Sequence, residues 1–249
     1  MAASLKPEEF DLMVTLGDVP RHHARTRPDQ VALSFEGRDT TFAELDANSN
    51  RAVAALLASG LKKGDRVCYL GKNSDHYFEL LFAVMKAGAV IAPIGWRLSA
   101  DEVAYIIDDA QASLLFVGPE CIECGEAAAA KSASRPKIIA VEAGAHAHPA
   151  YEDRRNAHPA DDKNIKVATN DTALLLYTSG TTGRPKGVML TSGNILRSRR
   201  ALSEAKMGWN EWQEGEVSYC AMPIAHIGGT GWCLVGLING VKNVVARDF

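Results

Sequence analysis

Between Tyr177 and Val188 the chain places four aliphatic hydroxyls (Thr178, Ser179, Thr181, Thr182), three glycines (Gly180, Gly183, Gly187) and one lysine (Lys186). That mixture suits a polyphosphate. Glycine lets the main chain approach an anion closely, and successive N–H groups form a concavity that binds one. The hydroxyls add donors, and the Lys186 ammonium is a point charge for phosphate oxygens. The order is not that of a Walker A loop, which ends in Gly-Lys-Ser/Thr and runs straight into a helix. Here Pro185 precedes Lys186 and Gly187 follows it. Proline lacks an N–H and biases Arg184 toward an extended conformation. The competing reading is an ordinary turn rich in Gly, Ser and Thr.

The flanks decide how such a loop is carried. Thr172 to Tyr177 is apolar and reads as a buried strand, Val188 to Thr191 reads as a second strand, and a helix begins at about Ser192. Upstream, strand and helix patterns alternate. Val31 to Phe35 and Thr40 to Phe42 form a short extended pair. Thr41 with Glu44 has capping-box spacing. Leu45, Ala52, Val53, Leu56 and Leu57 then make an apolar stripe that Gly60 stops. Val67 to Leu70 is a strand. Ser74 caps a helix carrying Phe78, Leu81, Phe82 and Met85, and Val90 to Ala92 is the next strand. Ser99 with Glu102 opens another helix, and Leu114 to Val117 and Ile138 to Val141 are further strands. Glu126 to Pro136 reads as an alanine-rich helix and turn, and Ala143 to Asn170 as a surface connection. Continuous apolar strands indicate parallel sheets covered on both faces, so the pattern predicts an α/β fold of βαβ units.

The string from Tyr177 to Val188 resembles the phosphate loop of the adenylate-forming superfamily, which includes acyl-CoA synthetases, luciferases and the adenylation domains of peptide synthetases. Asp39 to Leu45, Gly64-Asp65-Arg66-Val67 with Asn73-Ser74, Gly88 to Ile94, Trp96-Arg97-Leu98 and Pro223 to Gly229 resemble other stretches of that family. The likeness covers nearly the whole chain. It implies two packed α/β subdomains with largely parallel sheets, divided approximately as 1–165 and 166–249 and not strictly contiguous in sequence. It also implies the chemistry. ATP, Mg²⁺ and a carboxylic acid, by default a fatty acid, give an acyl-adenylate and pyrophosphate, and coenzyme A then takes the acyl group. Thr178, Ser179, Gly180, Thr181, Thr182, Gly183 and Lys186 are the expected nucleotide contacts, with Thr182, Lys186 and His226 as catalytic groups. His226, Gly228 and Gly229 are the expected acid contacts. Family members often carry an aromatic residue or leucine before the histidine, where this chain has Ala225. The family's acidic magnesium-binding motif, ribose-binding aspartate and lysine-bearing C-terminal domain have no counterpart in these residues. The chain is therefore read as an N-terminal portion that would not complete thioester formation alone. A noncatalytic nucleotide-binding module, or an adenylation domain that serves a carrier protein, are the alternatives.

Composition agrees with an enzyme of this kind. Across 249 residues, 47% are apolar, enough for a substantial core, and the net charge of −3 gives no reason to expect nucleic acid. There is no long apolar window and no signal-peptide pattern, which points to the cytoplasm. A homodimer is compatible with the sequence. Cys121-Ile122-Glu123-Cys124 has the spacing of a redox pair or half a zinc site that His146 and His148 would complete. Two reduced cysteines near a helix start, and no metal site, are the expectation. Trp232 is expected to pack in the core. Glu8-Glu9, Asp108-Asp109 and Asp161-Asp162 read as solvated surface charge.

Overall fold

The helix starts foreseen at Thr41 and Ser99 are closed by the side chains that predict them. Thr41 accepts from the Glu44 N–H at 3.2 Å while the Glu44 carboxylate accepts from the Thr41 N–H at 2.8 Å. Ser99 and Glu102 repeat the exchange at 3.4 and 2.8 Å. At the third start, the Ser74 hydroxyl accepts from the His76 N–H at 3.2 Å. Each bond satisfies a donor that the first helical turn otherwise leaves open.

A computed structural model describes residues 4–178 and 184–248. In chain order the elements are α1 (Asp18–Thr26), β1 (Val31–Phe35), β2 (Arg38–Thr41), α2 (Phe42–Ala58), β3 (Arg66–Leu70), α3 (Asp75–Lys86), β4 (Val90–Ile94), α4 (Ala100–Ala110) and β5 (Ala112–Val117). There follow α5 (Ile122–Lys131), β6 (Lys137–Ala140), α6 (Tyr151–Asn156), β7 (Thr172–Thr178), β8 (Lys186–Thr191), α7 (Ser192–Glu204), β9 (Val217–Cys220), α8 (Ile227–Asn239) and β10 (Lys242–Val245).

Two sheets form. One has the order β6-β5-β3-β4-β7-β8, the other β2-β1-β10-β9. All neighbours run parallel except β8 against β7 and β2 against β1. Those two antiparallel edges are the places where consecutive strands are joined by short connections, whereas parallel neighbours need a crossover. The smaller sheet combines the first two strands of the chain with the last two. Alternation along β3 distributes its side chains between two cores. Val67 and Tyr69 join the cluster that contains α2, α3, α8 and β1, while Cys68 and Leu70 join the one built with α4 and α5. Helices therefore cover both faces of the larger sheet, as its continuous apolar strands require.

Some boundaries differ from the sequence reading. β2 begins at Arg38 and β8 at Lys186, each two residues before the start read from the sequence, at Thr40 and Val188. α5 begins at Ile122 rather than Glu126 and takes in Cys124. The supposed surface connection contains α6, whose Tyr151 and Arg155 are buried. The Tyr151 ring packs against Phe116 and His76, and Arg155 reaches the buried Glu79 carboxylate. Those partners are distant in sequence, so local periodicity carried no sign of them.

One buried group makes the fold sensitive to acid. His23 on α1 is fully enclosed, and its Nε2 lies 2.9 Å from the Ile238 carbonyl. A carbonyl only accepts, so Nε2 carries the proton, and Nδ1 is left buried without a partner. Burial drives the pKa from 6.5 down to about 3. Between those values the unfolded chain binds a proton that the folded chain refuses, so stability is lost as pH falls through that window. The expected contribution is roughly 3–5 kcal/mol between pH 6.5 and 3. Urea midpoints across that range should show a steep fall in the wild type and a shallower one, by about one proton, in His23→Gln. Identical pH slopes would rule this group out as the cause.

Candidate functional site

Thr178 closes β7 and Lys186 opens β8, and the two face each other across the antiparallel pair. Both are exposed. Residues 179–183, which hold Ser179, Gly180, Thr181, Thr182 and Gly183, lie outside the described residues. The described frame around them is braced from one helix. On α4, Tyr105 and Asp109 stand one turn apart. The Tyr105 hydroxyl donates to the Pro185 carbonyl at 3.3 Å, and the Arg184 guanidinium lies 5.5 Å from the Tyr105 ring centre. The Tyr177 hydroxyl donates to Asp109 at 2.7 Å. Burial and this carboxylate together push the Tyr177 phenol well above its ordinary pKa, so it stays a donor. Gly187 pairs with Tyr177, and a Cβ there would stand 2.8 Å from the Leu175 side chain and 3.2 Å from the Tyr177 ring. Glycine thus lets the Tyr177 side chain cross the strand toward α4. The sequence reading took Asp109 as solvated charge. Asp109 is exposed and also accepts from Tyr177, while Asp108 accepts from Ser132 and the Ser134 N–H, and Asp162 forms a two-bond pair with Arg21.

His226, Gly228 and Gly229 sit where a loop after β9 turns into α8. His226 is the N-cap residue, in an extended conformation, with an exposed side chain. Its N–H donates to the Pro223 carbonyl at 3.1 Å, and its carbonyl accepts from Gly229 and Thr230 at 3.0 and 3.2 Å. The imidazole makes no hydrogen bond with a described residue and so is available to a ligand. The amino end of α8 adds a partial positive charge beside it, which favours an anion such as a carboxylate. At Gly229 an added Cβ would come within 2.2 Å of the Pro223 carbonyl oxygen and 2.5 Å of the Met222 oxygen. At Gly228 it would meet only the Met222 side chain, at 2.6 Å.

Parallel order brings these pieces to one side. Within each sheet the carboxyl ends of the parallel strands point the same way, and the two sets of ends meet along a seam. The Arg247 guanidinium, just past β10, pairs with Glu36 past β1 and with Glu142 past β6, at 2.6 and 2.9 Å. Lys72, just past β3, pairs with Asp248 at 2.6 Å. The end of β7 and the loop after β9 both belong to this carboxyl-end side, which is where open α/β sheets bind ligands. A 350 Å³ cavity bounded by Lys63, Arg66, Val90, Asp171 and Met189 lies instead toward the amino ends of β3 and β4.

The cysteine pair has ordinary surroundings. The Cys121 and Cys124 thiols approach the Trp96 and Leu98 carbonyls at 3.9 and 3.6 Å. Burial pushes the Cys121 pKa up to about 12 and raises that of Cys124, which disfavours reactive thiolates. His148 bonds Glu126, and His146 bonds the Glu142 carbonyl. Among the described residues no group of three or more His, Cys, Asp or Glu side chains is placed to hold a metal ion. No helix among them is long and apolar enough to cross a membrane. Trp232 packs beside Trp212, Val235 and Val241 in a small third cluster.

Comparison with known proteins adds to this geometry. Residues 20–249 match the family described as AMP-binding enzyme. The fatty acid–[acyl-carrier-protein] ligase ScoC of Streptomyces coeruleorubidus is 38% identical over 236 residues, covering 94% of this chain and 44% of that protein. A feruloyl-CoA synthase of Amycolatopsis is 37% identical, again over 94% of this chain and 44% of that protein. The chain therefore spans less than half the length of these relatives. Among solved structures, the inhibitor-bound N-terminal domain of FACL13 from Mycobacterium tuberculosis superposes with a TM-score of 0.84 at 26% identity, covering 95% of this chain and 58% of that one. ATP-bound MatB from Rhodopseudomonas palustris gives 0.78 at 27% identity, covering 94% and 46%.

Proposed function

Because this chain belongs to the AMP-binding enzyme family, we propose that it is the nucleotide-binding part of an AMP-forming ligase that activates a carboxylic acid and passes it to a thiol. The observation that carries the reading is the hairpin mouth at the end of β7. There Thr178 faces Lys186, which pairs with no carboxylate among the described residues, and the sequence between them is rich in hydroxyls and glycine. A carboxylate oxygen attacks the α-phosphorus of ATP, the bond to pyrophosphate breaks, and an acyl-adenylate forms. A thiol sulfur then attacks the acyl carbon and AMP leaves.

Each group has a physical task. Lys186 and the donors of residues 178–183 hold the polyphosphate and take up charge as pyrophosphate departs. A preorganised donor of this kind contributes roughly 3–4 kcal/mol to the transition state. His226 and the amino end of α8 orient the acid's carboxylate toward phosphorus. Magnesium is the proposed companion of the nucleotide and would neutralise part of its polyphosphate charge.

A fatty acid is the proposed substrate and coenzyme A the proposed acceptor, in keeping with the cytoplasmic location read from the sequence. The likeness to ScoC supports a second reading in which a carrier protein receives the acyl group. ATP–pyrophosphate exchange by the full-length protein, over a panel of fatty and aryl acids, tests the first half reaction. Acid-dependent exchange is expected. ATP binding without exchange for any acid would instead mark a noncatalytic nucleotide module. Acyl transfer to coenzyme A, compared with transfer to a phosphopantetheinylated carrier protein, separates the two acceptors.

A further inference from the structure

We propose that Asn73 is the positioning residue that fixes His226 and the amino end of α8, by fastening the loop after β9 to the β3–α3 connection of the other sheet. The proposal rests on the ligase reading above for its functional consequence. Its structural basis stands on the hydrogen bonds alone.

Asn73 is buried, and its side chain bonds only to main-chain atoms 148 to 173 positions away. Its amide nitrogen donates toward the carbonyls of Ala221 and Met222, both at 3.2 Å, and of Ala246 at 2.9 Å. Its amide oxygen accepts from the Ile224 N–H at 3.1 Å. Its own N–H donates to the Arg247 carbonyl at 3.2 Å. One short side chain thus holds the ends of β9 and β10 against the end of β3. The polarity of the site selects the residue. Carbonyls surround the nitrogen and an N–H faces the oxygen, so the isosteric aspartate would place a charged acceptor against carbonyl oxygens.

The Ile224 peptide is gripped from its other side as well. The Thr230 hydroxyl donates to the Ile224 carbonyl at 2.7 Å, and the Tyr77 hydroxyl lies 2.8 Å from Thr230 Oγ1. Thr230 has spent its only proton on Ile224, so Tyr77 donates to Thr230. Tyr77 stands on α3, which follows directly from Asn73. Both grips on Ile224 therefore trace to the start of α3, two residues before His226. The imidazole has no described partner to hold it, so its position follows from this backbone. The hairpin mouth at Lys186 is braced separately, by Tyr105 and Asp109, and shares none of these bonds.

That separation supplies the test. Asn73→Asp and Tyr77→Phe are made in the full-length protein, and exchange kinetics are measured against acid and against ATP. Both variants are expected to lower kcat/KM for the acid, by tenfold or more for Asn73→Asp and less for Tyr77→Phe, with KM for ATP changed less than about twofold. Amide hydrogen exchange at Ile224 is expected to accelerate in Asn73→Asp. Equal losses for acid and ATP, tracking a fall in thermal midpoint, would reduce Asn73 to general structural glue and overturn the proposal. So would wild-type exchange at Ile224, or unchanged acid kinetics in both variants. Should the wild-type protein fail to support exchange with any acid of the panel, the ligase reading fails, and the functional half of the proposal with it. The Ile224 amide then still decides whether Asn73 holds the loop.

Discussion

Lys186→Ala in the full-length protein is expected to slow adenylate formation more than tenfold, measured as ATP–pyrophosphate exchange at saturating acid. Lys186 is exposed at the first position of β8, and no carboxylate among the described residues pairs with it. Its charge is therefore available to a phosphate, and folding has little need of it. Arg184, the nearest other cation in the chain, is stacked on Tyr105 and cannot readily take its place. A charge-assisted hydrogen bond contributes about 1.5–3 kcal/mol, which corresponds to roughly tenfold to a hundredfold in rate. The thermal midpoint should stay close to that of the wild type, because the side chain is exposed and pairs with no described carboxylate. Thr182→Ala, in the segment outside the described residues, is expected to slow the same step by more than tenfold. Exchange rates left intact in both variants would remove the phosphate loop from the mechanism.

Gly229→Ala is expected to abolish most acid-dependent exchange and to destabilise the fold, whereas Gly228→Ala should be tolerated. The two glycines are adjacent, yet their surroundings differ. The new methyl at Gly229 would overlap main-chain atoms of Met222 and Pro223 at 2.2 to 2.5 Å. Main chain cannot rotate away, so either the 222–226 turn or the first turn of α8 must move, and His226 moves with it. Overpacking of this kind typically costs about 1–3 kcal/mol. At Gly228 the obstacle is the Met222 terminal methyl, and a flexible thioether can change rotamer. Circular dichroism with urea titration gives the stability of each variant, and exchange against acid concentration gives the function. Similar behaviour of the two alanine variants would show that the close approach at Gly229 does not control the loop.

Much of this protein was legible in its sequence because the signals were local. Capping boxes at Thr41 and Ser99 depend on residues three apart, and both formed as spaced. Apolar runs from Val67 to Leu70 and from Leu114 to Val117 became strands because burial on both faces demands continuous hydrophobicity. The strand–loop–strand frame of the phosphate segment followed from two apolar stretches and a proline. The helix at Tyr151 was missed because its reason to exist is the distant Glu79, Phe116 and His76. The bond from Tyr177 to the exposed Asp109 was not foreseen because a carboxylate on a helix surface looks the same in sequence whether or not a distant phenol reaches it.

The sequence by itself determined most of the element types, the alternation that makes the fold α/β, and the residue types from which a role for residues 178–186 and His226 is proposed. Only the tertiary structure decided that the first two strands join the last two in one sheet, that α4 braces the mouth of the hairpin, and that Asn73 ties the histidine loop to the opposite sheet. Short-range hydrogen bonding and hydrophobic periodicity are written along the chain within a few residues. Contacts across 68 to 173 positions depend on which strand ends come together, and no spacing in the sequence encodes that.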